Sequence, residues 1–221
     1  MGLAGPLTVR GGRGADSAEP SGYVGLDAVR LSRVTISDAR QVSTKGTTVL
    51  ARVKITRSGS ECVHALKNFG GELLIRHSTI ARNPQAGGVI NTGGGRLTAG
   101  DVRVVHNDAR CVHSFGGGII NDRGKVFLDD VLVANNKANY GGGIQNNREM
   151  EITNSRISDN VARFTIGGGI LNDGQLTLTS SEVTGNRAGE AGGGIYNRGA
   201  ATLVDTVVTD NQPDDCFGVE C

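Results

Sequence analysis

The sequence predicts an all-β fold, a right-handed parallel β-helix of about seven or eight coils with three short strands per coil. Three observations carry that reading: a glycine-rich, aromatic-poor composition, a phrase that returns about every 25 residues, and apolar residues that alternate between the returns. The chain holds 35 glycines in 221 residues, with no Trp, five Phe and three Tyr. A core built without large aromatics is narrow. Glycine weakens helices and ordinary strands, so this many are tolerated only where turns recur or backbones stack closely.

The phrase Gly-Gly-Gly-Ile-x-Asn ends at Asn121, Asn146, Asn172 and Asn197, and a weaker form, Ala-Gly-Gly-Val-Ile-Asn, ends at Asn91; the spacings are 30, 25, 26 and 25. A second series, Asn83, Asn107, Asn136, Asn160, Asn186 and Asn211, runs in phase with it at intervals of 24, 29, 24, 26 and 25. Between the series the apolar residues alternate, as in Leu176, Leu178 and Val183, or Val126, Leu128 and Val133. Alternation is the strand signature because neighbouring side chains point to opposite faces. The runs are too short for helices, which excludes a βαβ array. Identical asparagines stacked in register can hydrogen-bond along the axis, so both series read as structural ladders. The whole chain, 1–221, reads as one domain: an irregular first coil or cap over 1–25, coils over 26–211 and a tail over 212–221.

Charge and hydropathy exclude several functions. Lys and Arg total 23 against 22 for Asp and Glu, with the basic residues scattered, which disfavours nucleic acid as a partner. No apolar run approaches the length of a membrane span, and the opening residues lack the apolar centre of a signal peptide. The chain is expected in the cytoplasm if complete and outside the cell if a leader has been processed. The glycine triplets lead into no helix and precede no Lys-Ser/Thr, which removes the phosphate-loop reading.

The GGGI-x-N phrases, the Leu176-Thr177-Leu178-Thr179 segment and the tail from Asn211 to Cys216 resemble bacterial right-handed parallel β-helix repeat proteins, including those with polymorphic outer-membrane-protein type GGA/I repeats. The resemblance covers residues 70–221 well and the earlier part poorly. It implies the pectate-lyase-like superfold, which hosts lyases, polygalacturonases, epimerases, phage tailspikes and adhesins, so it leaves activity open. In that family a cysteine-containing tail is usual for exported members.

Chemistry is expected where length varies. From Ser58, and then from each second-series asparagine, to the next asparagine of the first series, the steps are 10, 8, 14, 10, 12 and 11. That side carries a duplicated tripeptide, Cys62-Val63-His64 and Cys111-Val112-His113, in equivalent places two coils apart. At about 4.8 Å per coil the cysteines lie roughly 9 to 10 Å apart, beyond disulfide reach unless the loops lean together over the short coil between them. Three readings stay open: a bridging disulfide, two unlinked thiols, or a zinc site of Cys62, His64, Cys111 and His113. No other cofactor is implied. With free thiols, His64 or His113 is a candidate catalytic acid or base. Cys216 and Cys221 suit a small terminal loop closed by a disulfide.

The residue after each repeat Ile (Ile120, Gln145, Leu171 and Tyr196, with Ile90 in the weaker copy) is expected to point outward, so four of five coils add to an apolar stripe able to line a ligand groove or join copies of the chain. Phe115 and Tyr140, each before a glycine triplet, are candidates for a stacking platform or for packing on each other. Asp122 and Asp173 share a slot with Asn147 and Arg198, which is a poor catalytic pair. The composite expectation is a protein holding a small-molecule or glycan ligand on its variable side through Phe115, Tyr140, Ile120, Leu171 and Tyr196. It leans to a lyase, isomerase or cyclase; the alternatives are an adhesive surface module and a polysaccharide lyase or glycan binder.

Overall fold

The structure is a computed structural model that describes residues 7–10, 22–60, 62–111 and 114–221. Among these residues there is no helix; parallel strands coil into a β-solenoid of about seven turns. A 14-stranded sheet runs along one side, a nine-stranded sheet along another, and a three-stranded sheet (Lys137–Ala138, Val161–Ala162 and Arg187–Ala188) closes the C-terminal coils.

Two corners per coil are set by single residues with positive φ. One column runs through Arg33, Arg52, His77, Asp101, Asp130, Asn154, Ser180 and Asp205, the other through Asp38, Arg57, Arg82, His106, Asn135, Asp159, Gly185 and Asp210, with φ between 47° and 66°. The two columns are five residues apart in every coil, so the segment between them cannot vary without breaking register. Asp and Asn tolerate this left-handed conformation better than most residues, and they dominate the C-terminal half of both columns.

The residue after the second corner is the ladder position. Asn83, Asn107, Asn136, Asn160, Asn186 and Asn211 pass side-chain hydrogen bonds of 2.7–3.0 Å from one coil to the next. In the other ladder Asn91, Asn121, Asn146, Asn172 and Asn197 do the same at 2.7–3.3 Å. Every donor and acceptor finds a partner: Asn160 Nδ2 donates to Asn186 Oδ1 and Val133 O, and its Oδ1 accepts from Asn136 N and Nδ2. Buried amides this fully satisfied hold the coils in register without the desolvation cost of an orphan group. The Asn91 ladder also includes Asn68, which donates to Asn91 Oδ1 at 2.8 Å and accepts from Thr44 Oγ1 at 3.2 Å. The Asn83 ladder begins at Ser58, whose N donates to Asn83 Oδ1.

The core is a narrow column of Ile, Val and Leu with Met150 and no aromatic ring. The glycine triplets permit that narrowness. Their first members, Gly116, Gly141, Gly167 and Gly192, have φ of 51°, 56°, 70° and 62°. Their third members lie under the carbonyl of the next coil: a Cβ on Gly118, Gly143 or Gly169 would stand 2.6 Å from the oxygen of Gly143, Gly169 or Gly194.

Both ends differ from expectation. Leu7–Arg10 is a strand paired with Val34–Ser37, and Gly22–Asp27 is one paired with Ala39–Lys45, so the segment expected to be irregular contains regular strands. The tail is a cap. Cys216–Phe217 extends the nine-stranded sheet beside Ile195 and Tyr196, Asp215 Oδ1 ends one ladder by accepting from Asn211 Nδ2 at 3.0 Å, and Gly218 O ends the other by accepting from Asn197 Nδ2 at 2.9 Å.

Candidate functional site

Cys62 and Cys111 are joined as a disulfide, with Cα atoms 5.1 Å apart. The loops lean together because the coil between them has the shortest connection, eight residues from Asn83 to Asn91. Bonded sulfurs are not thiolate ligands, so the four-residue zinc set does not fit this state, and His113 lies outside the described residues. Among the described residues no group of three or more His, Cys, Asp or Glu is placed to hold a metal. Cys216 and Cys221 are also paired.

Under the first bridge lies a cleft of about 200 Å³, lined by both cysteines together with Val63, His64, Ala86, Ile90, Phe115 and Ile120 among others. It gathers His64, Phe115 and Ile120, three residues singled out in the sequence, and its walls are mostly apolar. His64 is half-buried. Its Nε2 lies 3.3 Å from Gly116 O, and Gly87 packs so closely that a Cβ there would meet the ring at 2.5 Å. Burial pushes its pKa down to about 4; hydrogen bonding to the Gly116 and Phe115 backbone opposes the shift, and the positive charge of Lys67 adds to it. The imidazole is therefore neutral near pH 7. It is the only ordinarily titrating side chain among the described residues of the lining.

The expected outward stripe is not exposed. Ile120 retains 6% of its surface, Gln145 7% and Leu171 1%. The cause is the first glycine of each triplet, which folds against the side chain four residues on: a Cβ on Gly167 would be 2.7 Å from Leu171 Cβ, and one on Gly192 2.5 Å from Tyr196 Cβ. Leu171 is thus interior packing rather than a ligand contact. Tyr196 stacks on Phe217 with centroids 4.6 Å apart, part of the C-terminal cap. The association of copies through this stripe loses its basis. Phe115 and Tyr140 stack on each other at 5.0 Å, one coil apart, and Phe115 keeps 39% of its surface at the rim of the cleft.

The carboxylates of the shared slot are engaged. Both oxygens of Asp173 accept from Arg198, at 2.6 and 2.8 Å, and Asp122 accepts from Thr92 Oγ1 at 3.0 Å. A second opening on the variable side, of about 580 Å³, is formed by Asp108, Arg110, Asn139, Arg163 and Phe164. Arg163 pairs with Asp108 and donates to Ala109 O, while Phe164 is 70% exposed. Phe164 was not singled out by sequence. The available signal was the 12-residue step from Asn160 to Asn172, whose surplus over the 10-residue step before it pushes this ring outward.

Among the described residues no helix is long and apolar enough to cross a membrane. No family model, no curated protein and no solved structure matches the chain. What is shown is a parallel β-solenoid with asparagine ladders.

Proposed function

We propose that the protein is a non-catalytic binding solenoid, related to the GGA/I repeat proteins, that holds a small, largely apolar ring-bearing molecule in the cleft beneath the Cys62–Cys111 bridge. The observation that carries this reading is the convergence of His64, Ile90, Phe115 and Ile120 on one small cleft fixed by a covalent arch. A concave apolar site with a few polar groups is what small ligands need. An acid–base group works best when its pKa lies near the operating pH. Here a neutral imidazole against a backbone carbonyl favours binding over chemistry.

Ligand-observed NMR with indole and toluene as probes tests it. Binding is expected to the unaltered protein and to be lost in Val63→Trp, which fills the cleft from its half-exposed wall. No binding to the unaltered protein, or equal binding to both, rejects the reading. A second reading, a glycan on the exposed Phe164 with hydrogen bonds from Asp108, Arg110 and Asn139, rests on that ring's exposure. Titration with neutral oligosaccharides checks it, because binding that survives Phe164→Ala unchanged removes it.

A further inference from the structure

In a solenoid, position along the chain is position along the axis, so blocks of charge in sequence become poles in space. Residues 22–57 carry seven Lys or Arg against two Asp or Glu, whereas residues 199–221 carry five acidic residues and no basic one. The net charge of +1 conceals this separation. One end of the molecule is basic and the other acidic.

The same two ends leave the core partly uncovered. The half-covered apolar residues that pack against it are Val24, Leu26 and Leu31 at one end and Ala201, Leu203, Val208, Cys216 and Val219 at the other. The tail covers the end of the nine-stranded sheet and leaves the edge of the long sheet alone. Among the described residues Ala200–Val204 and Val207–Thr209 are each paired on one side only, with Val204 43% and Val207 56% exposed. At the basic end, among the described residues, Leu7–Arg10 lies outermost on Val34–Ser37, and it, Gly22–Asp27 and Arg30–Ser32 are each paired on one side. A free edge with apolar side chains is a template for another strand.

We infer that the acidic C-terminal end of one copy docks on the basic N-terminal end of a second copy, coil on coil, continuing the solenoid. Charge selects this arrangement. A two-fold contact between identical ends would set acid against acid or base against base, whereas a head-to-tail contact sets opposite charges together and repeats along the axis. All strands are parallel, so the second copy stacks with its coils running in the same sense as the first.

Sedimentation velocity on the full chain tests the inference with a charge-swapped pair, Arg30→Glu/Arg33→Asp and Asp205→Arg/Asp210→Arg. Arg33, Asp205 and Asp210 are corner residues, and both Arg and Asp already occupy these columns at similar φ, so the swaps keep the fold. The unaltered chain is expected to show a mass that rises with concentration and falls toward the monomer at about 0.5 M salt, where screening shortens the reach of charge to a few ångströms. Each variant alone is expected to be monomeric, because its altered end loses most of its net charge, and an equimolar mixture to regain pairwise association, because the unaltered acidic end of one variant then meets the unaltered basic end of the other. A monomer at every concentration in low salt overturns the inference, as do variants that associate like the unaltered chain or a mixture that stays monomeric.

Discussion

His64 illustrates what the solenoid does to a single titratable side chain. Sequence offers a histidine two residues from a cysteine, a pattern compatible with metal binding, with acid–base chemistry or with neither. Burial beside Gly87 lowers its pKa from 6.5 to about 4, against the opposing hydrogen bond to Gly116 O. Between those values the unfolded chain binds more protons than the folded one, so stability rises with pH there. The contribution is present above about pH 6.5 and is lost as pH falls toward 4, an effect of up to roughly 3 kcal/mol. Urea unfolding from pH 7 to 4 is expected to show a shallower loss for His64→Gln than for the unaltered chain. Equal slopes would mean that the imidazole is solvated.

At the scale of the coil, the triplet assigns a different task to each glycine. The first supplies positive φ and receives the side chain four residues on, while the third lies beneath the next coil's carbonyl. Gly143→Ala places a methyl 2.6 Å from Gly169 O and 2.8 Å from Asn160 Nδ2, so strain falls on backbone and on the ladder together. A loss of about 3 kcal/mol is expected. Gly25→Ala meets nothing within 4 Å and is expected to stay within about 0.5 kcal/mol of the parent. Chemical denaturation of the two variants measures the contrast, and similar midpoints would show that coils can separate locally. The period and the tasks of the asparagines were legible in the repeat phrase because each coil faces the same constraints. Thr44 escaped notice, since its coil lacks the triplet that marked the others.

At the scale of the molecule, stability is carried by each coil and its contacts with neighbours. The middle coils have an asparagine in both ladders, whereas the N-terminal ones substitute Thr44 and Ser58, which make fewer axial bonds. Native-state hydrogen exchange is expected to be at least about tenfold slower for amides of Val131–Ile157 than for those of Val42–Leu50, a gap of roughly 1.4 kcal/mol or more. Uniform protection would indicate that the solenoid opens only as a whole.

The amino-acid order alone determined the parallel coils, their period near 25 and the two asparagine columns, because stacking in register repeats a local requirement that leaves the same residues at the same intervals. The tertiary structure decided what depends on approach between coils. The cysteines meet because a short connection lies between two longer ones. The stripe is interior because the first glycine of each triplet folds against it. The scattered charges become two poles because coiling converts distance along the chain into distance along the axis. None of these is a property of one coil, and a repeat pattern describes coils one at a time.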